Sequence, residues 1–198
     1  MSRDMSQKLS LTLRMGIVVV MLTLVLFGMI ARKQWTLATG TPVVLETQPV
    51  DPRSLFRGDY VRLNYTINTL DSAGYPALST VKRGDTVYVT LVPGEPYWQP
   101  KTVSTECPND ASSVVLKGRV DRVNRRWNRE TRQYEVSHNV RVKFGVEHYF
   151  VPEGTGRAIE RPVGGEKVSI EVAVDRFGNA GIRAVLINGV PRYIETLF

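Results

Sequence analysis

Two rhythms of hydrophobic positions divide this chain. Between Met15 and Ala31 the sequence MGIVVVMLTLVLFGMIA is apolar without interruption and carries no charge. A run of that length reaches the lower bound of the about 17–25 residues that cross a hydrocarbon core of about 30 Å as a helix. Leu9, Leu11 and Leu13 prolong the apolar character upstream, where Lys8 and Arg14 can lay their stems along lipid and keep their charges in water. A cleavable export signal is the competing reading. The run is longer than the usual apolar core of about 7–15 residues, and Met29 with Ala31 makes a poor small-residue cleavage site, so an uncleaved anchor is expected. Past Gly40-Thr41-Pro42 the rhythm changes to alternation between apolar and polar residues, the period of half-buried strands.

Val43 to Thr47 reads as a short strand. Tyr60 to Ile67 alternates throughout, with Val61, Leu63, Tyr65 and Ile67 on one face and Tyr60, Arg62, Asn64 and Thr66 on the other. Tyr65 is thus expected in the core, and Tyr60 beside Arg62 on the polar face, where cross-strand packing and a binding role are both open to it. Asn68 to Ser79 holds Asp71, Gly74 and Pro76 with little period and reads as loop. Thr86 to Leu91 alternates again, and Tyr97 to Ser104 returns along it after the Pro93-Gly94 turn. Val114 to Val123 and Tyr134 to Phe144 read as two long strands joined by Asn124 to Gln133. Glu147 to Val151 continues the sheet until Pro152-Glu153-Gly154 breaks it, and Thr155 to Arg161 can form a short helix with Thr155 as its cap. Lys167 to Val174, Ala180 to Ile187 and Val190 to Leu197 close the chain, the last two joined by Asn188-Gly189, a type I′ hairpin signal. The predicted class is mainly β: a single N-terminal transmembrane helix, then one β-barrel or sandwich-like domain with a short helix. The expected boundaries are a cytoplasmic N-terminus at 1–14, the anchor at 15–34, a juxtamembrane linker at 35–42 and the β-rich domain at 43–198.

Two segments carry more information than their periodicity. Gly58-Asp59-Tyr60-Val61-Arg62-Leu63-Asn64-Tyr65, close behind Asp51-Pro52-Arg53, is a turn feeding a strand and reads G-D-Y-x-x-L-x-Y. Gly145-Val146-Glu147-His148-Tyr149-Phe150-Val151-Pro152-Glu153-Gly154 reads G-x-E-x-Y-F-x-P-E-G. With both segments in this order, the chain resembles the GDYXXLXY family of bacterial membrane-anchored proteins over most of residues 40–198. The resemblance implies one anchor and one extracytoplasmic domain, suggests a polytopic membrane protein as partner, and carries no catalytic residue across. Gly58, Asp59, Tyr60, Leu63, Tyr65, Glu147, Tyr149, Phe150, Pro152, Glu153 and Gly154 are expected to form a buried structural centre or docking face.

Charge adds a second candidate surface. Lysine and arginine number 26 against 19 acidic residues, a net charge of +7 with pI near 9.7, which favours anionic partners. The basic residues concentrate in one hairpin, where Lys117, Arg119, Arg122, Arg125, Arg126, Arg129 and Arg132 face only Asp121 and Glu130, with Trp127 at the tip. Arginine suits bidentate contact with phosphate or carboxylate, so anionic lipid headgroups or an acidic partner face are candidates. A solvated hairpin whose charges deter edge pairing accounts for the same residues. No zinc-ligand spacing, RNA-recognition signature or long basic helix accompanies the charge, and nucleic acid is not expected.

Other chemistry is sparse. Cys107 is the sole cysteine and cannot staple the domain. Glu147 beside His148 invites a metal reading, but neighbouring strand residues point to opposite faces and His138 is the only other histidine, so no metal is expected. No serine sits in a nucleophile elbow and no glycine loop is built for phosphate, so no catalytic residue and no cofactor are expected.

Arg3, Lys8 and Arg14 precede the span while Arg32 and Lys33 follow it, a slight positive-inside bias. The short basic N-terminus suits the cytoplasm, and Trp35 fits an interfacial aromatic belt. The expectation is a single-pass protein of the bacterial inner membrane with its C-terminal domain outside the cytoplasm. It would serve as an accessory or scaffold subunit beside a polytopic protein. The alternative is an envelope enzyme or ligand-binding module acting on cell-envelope polymers, with Asp59, Tyr60 and Glu153 in its pocket.

Overall fold

A computed structural model of the chain describes residues 2–48, 60–108, 110, 112–128, 133–150 and 166–195. The chain divides into two units, Met1–Trp35 and Thr36–Phe198. One helix, α1 (Ser2–Thr39), carries the apolar run, and its Leu11–Thr39 portion is long and apolar enough to cross a membrane. Its apolar side chains are exposed on every side, from Leu11 through Phe27 to Ile30. A helix that is hydrophobic all round requires an apolar surrounding. The helix continues past Trp35 to Thr39, through residues read as a linker, because helical backbone bonding does not stop where apolar character does.

Among the described residues after the helix, every strand pairing is antiparallel, and the strands are joined by turns, loops and two short 3-10 segments. The strands are β1 (Thr41–Gln48), β2 (Tyr60–Arg62), β3 (Asn64–Tyr65), β4 (Thr69–Asp71), β5 (Thr86–Val92) and β6 (Gln99–Ser104). They continue with β7 (Val114–Asn128), β8 (Gln133–Lys143), β9 (His148–Phe150), β10 (Val168–Val174), β11 (Ala180–Ile187) and β12 (Val190–Ile194). One sheet runs β12-β11-β10-β1-β3, a second runs β4-β8-β7-β5-β6, and β2 with β9 forms a two-stranded ribbon. Together they make a curled, half-barrel body around one core that includes Val43, Leu45, Val87, Leu116, Val140 and Ile170.

The local rules explain most of this. β5 alternates over its full length, with Val87, Val89 and Leu91 buried and Thr86, Tyr88 and Thr90 half-buried. β10 lies between β1 and β11 and is buried on both faces, which matches its nearly continuous apolar sequence. Asn188 and Gly189 take φ of 52° and 79°, as a type I′ turn demands, and return β12 along β11.

Several expected boundaries moved. The strand expected over Tyr60 to Ile67 stops at Tyr65, and Thr66–Asn68 tightens into a 3-10 turn that still buries Ile67. The stretch read as loop from Asn68 to Ser79 contributes the edge strand β4, paired with β8, and a second 3-10 turn at Pro76–Ser79. The β7–β8 hairpin extends to Asn128 and Gln133, beyond the expected ends at Val123 and Tyr134. The register shifts between Val120 and Arg122, where β7 gains one residue, and again between Val123 and Arg125, where β8 gains two, which breaks the regular cross-strand pairing by which such a hairpin is read. The helical turn expected at Thr155 to Arg161 lies outside the described residues.

Two contacts hold the sheets in place. Gly118 faces inward on β7, where a Cβ would lie 2.4 Å from Val142 Cγ1 and 2.9 Å from the Phe144 ring, so the β7–β8 core closes only over a hydrogen. The β10–β11 turn is organised by the Asp175 carboxylate, which accepts from the Phe177 and Asn179 backbone N–H groups at 2.9 Å and from Asn179 Nδ2. Buried Thr36 donates its hydroxyl to the same carboxylate at 2.9 Å, and the turn's Gly178 carbonyl accepts from Lys117 N of β7 at 2.8 Å.

Gly118→Val should destabilise the body by about 1–3 kcal/mol, the usual cost of overpacking, measured by denaturant unfolding of the full chain in detergent. Burial alone would raise the Asp175 pKa, but the Asn179, Thr36 and Phe177 donors outweigh it and hold the carboxyl below its ordinary range. A folded pKa below the unfolded one stabilises above about pH 4, and that contribution is lost as pH falls through the folded value. Asp175→Asn should therefore lower the thermal midpoint at pH 7 and leave a flatter decline below pH 4 than the native chain shows.

Candidate functional site

The two signature segments are about 80 positions apart in sequence and become neighbours in the fold. β2 and β9 pair antiparallel, with Tyr60 opposite Phe150, Val61 opposite Tyr149 and Arg62 opposite His148. The pairing is prolonged by Leu63 N, which donates to the Glu147 carbonyl at 2.9 Å. Strand alternation sends Leu63 and Tyr65 inward, where they are 5 % and 1 % exposed.

At the end of this ribbon three buried polar side chains close on one another. The Tyr65 hydroxyl donates to the Val146 carbonyl at 2.7 Å. Asn68, presented by the 3-10 turn, accepts from Tyr65 N at 2.6 Å and donates through Nδ2 to the Val142 carbonyl at 2.8 Å and to Glu147 Oε1 at 3.2 Å. Glu147 Oε1 also accepts a short hydrogen bond from Phe144 N, and Oε2 accepts from Gly145 N at 2.9 Å. Gly145 holds φ at 83°, a left-handed conformation that turns successive N–H groups toward the carboxylate. Burial pushes the Tyr65 phenol well above its ordinary pKa, and the Glu147 charge adds to the shift, so the tyrosine stays a neutral donor.

The remaining segment residues divide between core and surface. Tyr149 is buried, and burial together with the Glu195 carboxylate that accepts its hydroxyl raises its pKa. His148 and Phe150 point the other way, Phe150 being 79 % exposed. Glu147 and His148 therefore lie on opposite faces, and among the described residues no three His, Cys, Asp or Glu side chains could together hold a metal. Gly58, Asp59, Pro152, Glu153 and Gly154 lie outside the described residues, and Tyr60 is described through its backbone pairing alone, so the pocket imagined around Asp59, Tyr60 and Glu153 does too.

In the basic hairpin, Arg119 and Arg122 are exposed on β7. Arg125 and Arg126 pair through their backbones with Val136 and Glu135, and Arg129 and Arg132 lie outside the described residues. Asn68, Lys82, Arg83, Arg141 and Lys143 were not singled out from sequence, although the structure sets each beside a predicted residue. Asn68 sat in a stretch without period, and the four cations are spaced like ordinary surface charge.

Residues 22–185 match the family described as GDYXXLXY protein. The chain belongs to the GDYXXLXY family. No curated protein and no solved structure matches it. Within this GDYXXLXY domain, the leucine and final tyrosine that give the family its name are core residues, and the tyrosine is fastened to the second segment by its hydroxyl.

Tyr65→Phe keeps the packing but leaves the buried Val146 carbonyl unpaired, and should cost about 1–3 kcal/mol in denaturant unfolding. Glu147→Gln turns an amide NH2 toward the Phe144 or Gly145 N–H, and should cost at least as much, with faster amide exchange at residues 144 and 145 as the local sign.

Proposed function

We propose that this GDYXXLXY protein is a single-pass subunit of a bacterial inner membrane, its β-body on the extracytoplasmic side, serving a polytopic membrane protein as scaffold or accessory and performing no catalysis itself. The observation that carries the reading is the use to which the signature residues are put. Leu63, Tyr65, Glu147 and Tyr149 are buried, and the polar atoms of Tyr65 and Glu147 are engaged with backbone and with Asn68. A general acid or base must reach a substrate proton, and side chains spent on internal backbone groups cannot. A frame of this kind suits a body that presents a fixed surface. The helix supports the membrane side of the reading, its uncharged Met15–Ala31 run being apolar and exposed all round.

Cys107 is exposed and is the only cysteine, which makes it a reporter of sidedness. A membrane-impermeant maleimide should label it in intact spheroplasts without lysis; labelling that requires lysis would place the body in the cytoplasm. Crosslinking in those membranes, followed by purification in mild detergent, should recover one polytopic protein in constant ratio. Recovery of this chain alone would count against the subunit reading.

A further inference from the structure

The outer face of the β4-β8-β7-β5-β6 sheet carries an arrangement that folding alone does not favour. The register sets Arg119 opposite Lys143 and Arg122 opposite Arg141, two like-charge pairs in succession with all four side chains exposed. Like charges directly opposite across a strand pair repel and destabilise it. Two further cations are delivered to the same place by backbone geometry. Gly84 N donates to the Val120 carbonyl at 2.8 Å and Val120 N donates to the Asp85 carbonyl at 2.9 Å, which seats the turn before β5 against the bulge in β7. That turn presents Lys82 and Arg83, which with Asp121, Arg122 and Val123 line a cleft of about 320 Å³.

Two carboxylates stand near, and both are committed. Asp85 Oδ2 accepts from Lys82 N at 2.8 Å and closes the turn. Asp121 pairs with Lys143 at 2.9 Å, and that bond, with the fields of Arg83 and Arg141, holds its carboxyl below the ordinary range despite some desolvation. Arg141 is steadied by donating from Nη2 to Asn64 Oδ1 at 3.1 Å. Among the described residues Lys143 is the one cation of the six in a direct ion pair; Asp121 reaches Arg83 and Arg141 only through its field, one carboxylate set against several cations. Two guanidinium groups and a lysine lining a small polar cleft, with Arg119 and Arg141 nearby on the same strand pair, match the fork geometry and multiple charge of a phosphate.

We infer that the cleft between the 82–85 turn and the β7 bulge, lined by Lys82, Arg83 and Arg122, is a binding site for a phosphate group, either free or displayed on a lipid headgroup. A bound phosphate offsets the repulsion between the facing cations. The site stands on charge and geometry alone and does not require the subunit reading above.

The full chain, purified and held in phosphatidylcholine nanodiscs, is titrated with inorganic pyrophosphate by calorimetry and, separately, with vesicles of phosphatidylglycerol or of phosphatidylcholine. Binding of pyrophosphate alone assigns a free phosphate ligand, and binding of the phosphatidylglycerol vesicles alone assigns a headgroup; either supports the site. Arg83→Gln with Arg122→Gln should weaken binding about tenfold or more, since each removes a charge-assisted contact. Arg192→Gln, an exposed cation on β12, should change it less than twofold. The double variant should also melt no lower than the native chain, because one partner of a repelling pair is gone. The inference is overturned if neither probe binds at 0.1 M salt, if the double variant binds as the native chain does, or if polyglutamate is preferred to both probes.

Discussion

The Glu147 carboxylate sits where the turn after β8 would otherwise leave two backbone N–H groups without partners. An unmet buried donor costs about 1–3 kcal/mol, so a chain that turns inward at this point needs an acceptor there. A carboxylate has lone pairs enough for Phe144 N, Gly145 N and Asn68 Nδ2 at once. Its own burial is tolerable because those donors replace water. Asn68 in turn ties β8 to the 3-10 turn, and Tyr65 ties that turn to Val146. One acidic side chain thereby sets how the ribbon of β2 and β9 meets the large sheet.

This arrangement spends the signature's buried polar groups, the Tyr65 hydroxyl and the Glu147 carboxylate, on internal hydrogen bonds. The tyrosine and glutamate would draw attention in a search for catalytic groups, but the tyrosine is spent on the Val146 carbonyl of the other segment and the glutamate on the Phe144 and Gly145 N–H groups of its own turn and on Asn68. On the scaffold reading proposed above, function falls to the surfaces that the frame holds out. One such surface among the described residues is the outer face of β7 and β8, where cations face one another across the ladder. A bulge that adds a residue to β7 also brings Asp121 to Lys143 and Arg122 to the cleft, so one backbone irregularity both limits the repulsion and shapes the site.

Near the start of the body a second carboxylate does comparable work. Asp175 gathers the donors of its own turn and the hydroxyl of Thr36, while the turn's Gly178 carbonyl takes the Lys117 N–H from the opposite sheet. Exposed Arg176 stacks over Phe177 at 4.7 Å on the outside of the same turn. In both places an acidic residue stabilises a turn by satisfying backbone donors, and neither is left to meet solvent-borne substrate freely.

Periodicity alone determined the apolar span, the mainly β class and the inward faces of the strands: Val61, Leu63 and Tyr65 are buried as their alternation requires, and Asn188-Gly189 turns as its backbone preferences require. These are local consequences of side-chain period and steric freedom. The two recurring segments were visible as words, but their meeting as paired strands was not, because hydrogen bonds between residues such as Tyr65 and Val146, 81 positions apart, leave no mark in either neighbourhood. The same holds for Asn68, which looked like loop until its partners arrived from β8, and for Lys82 and Arg83, whose place beside Arg122 depends on where a turn docks. Local sequence decides which way a residue points; only the packed sheets decide what it points at.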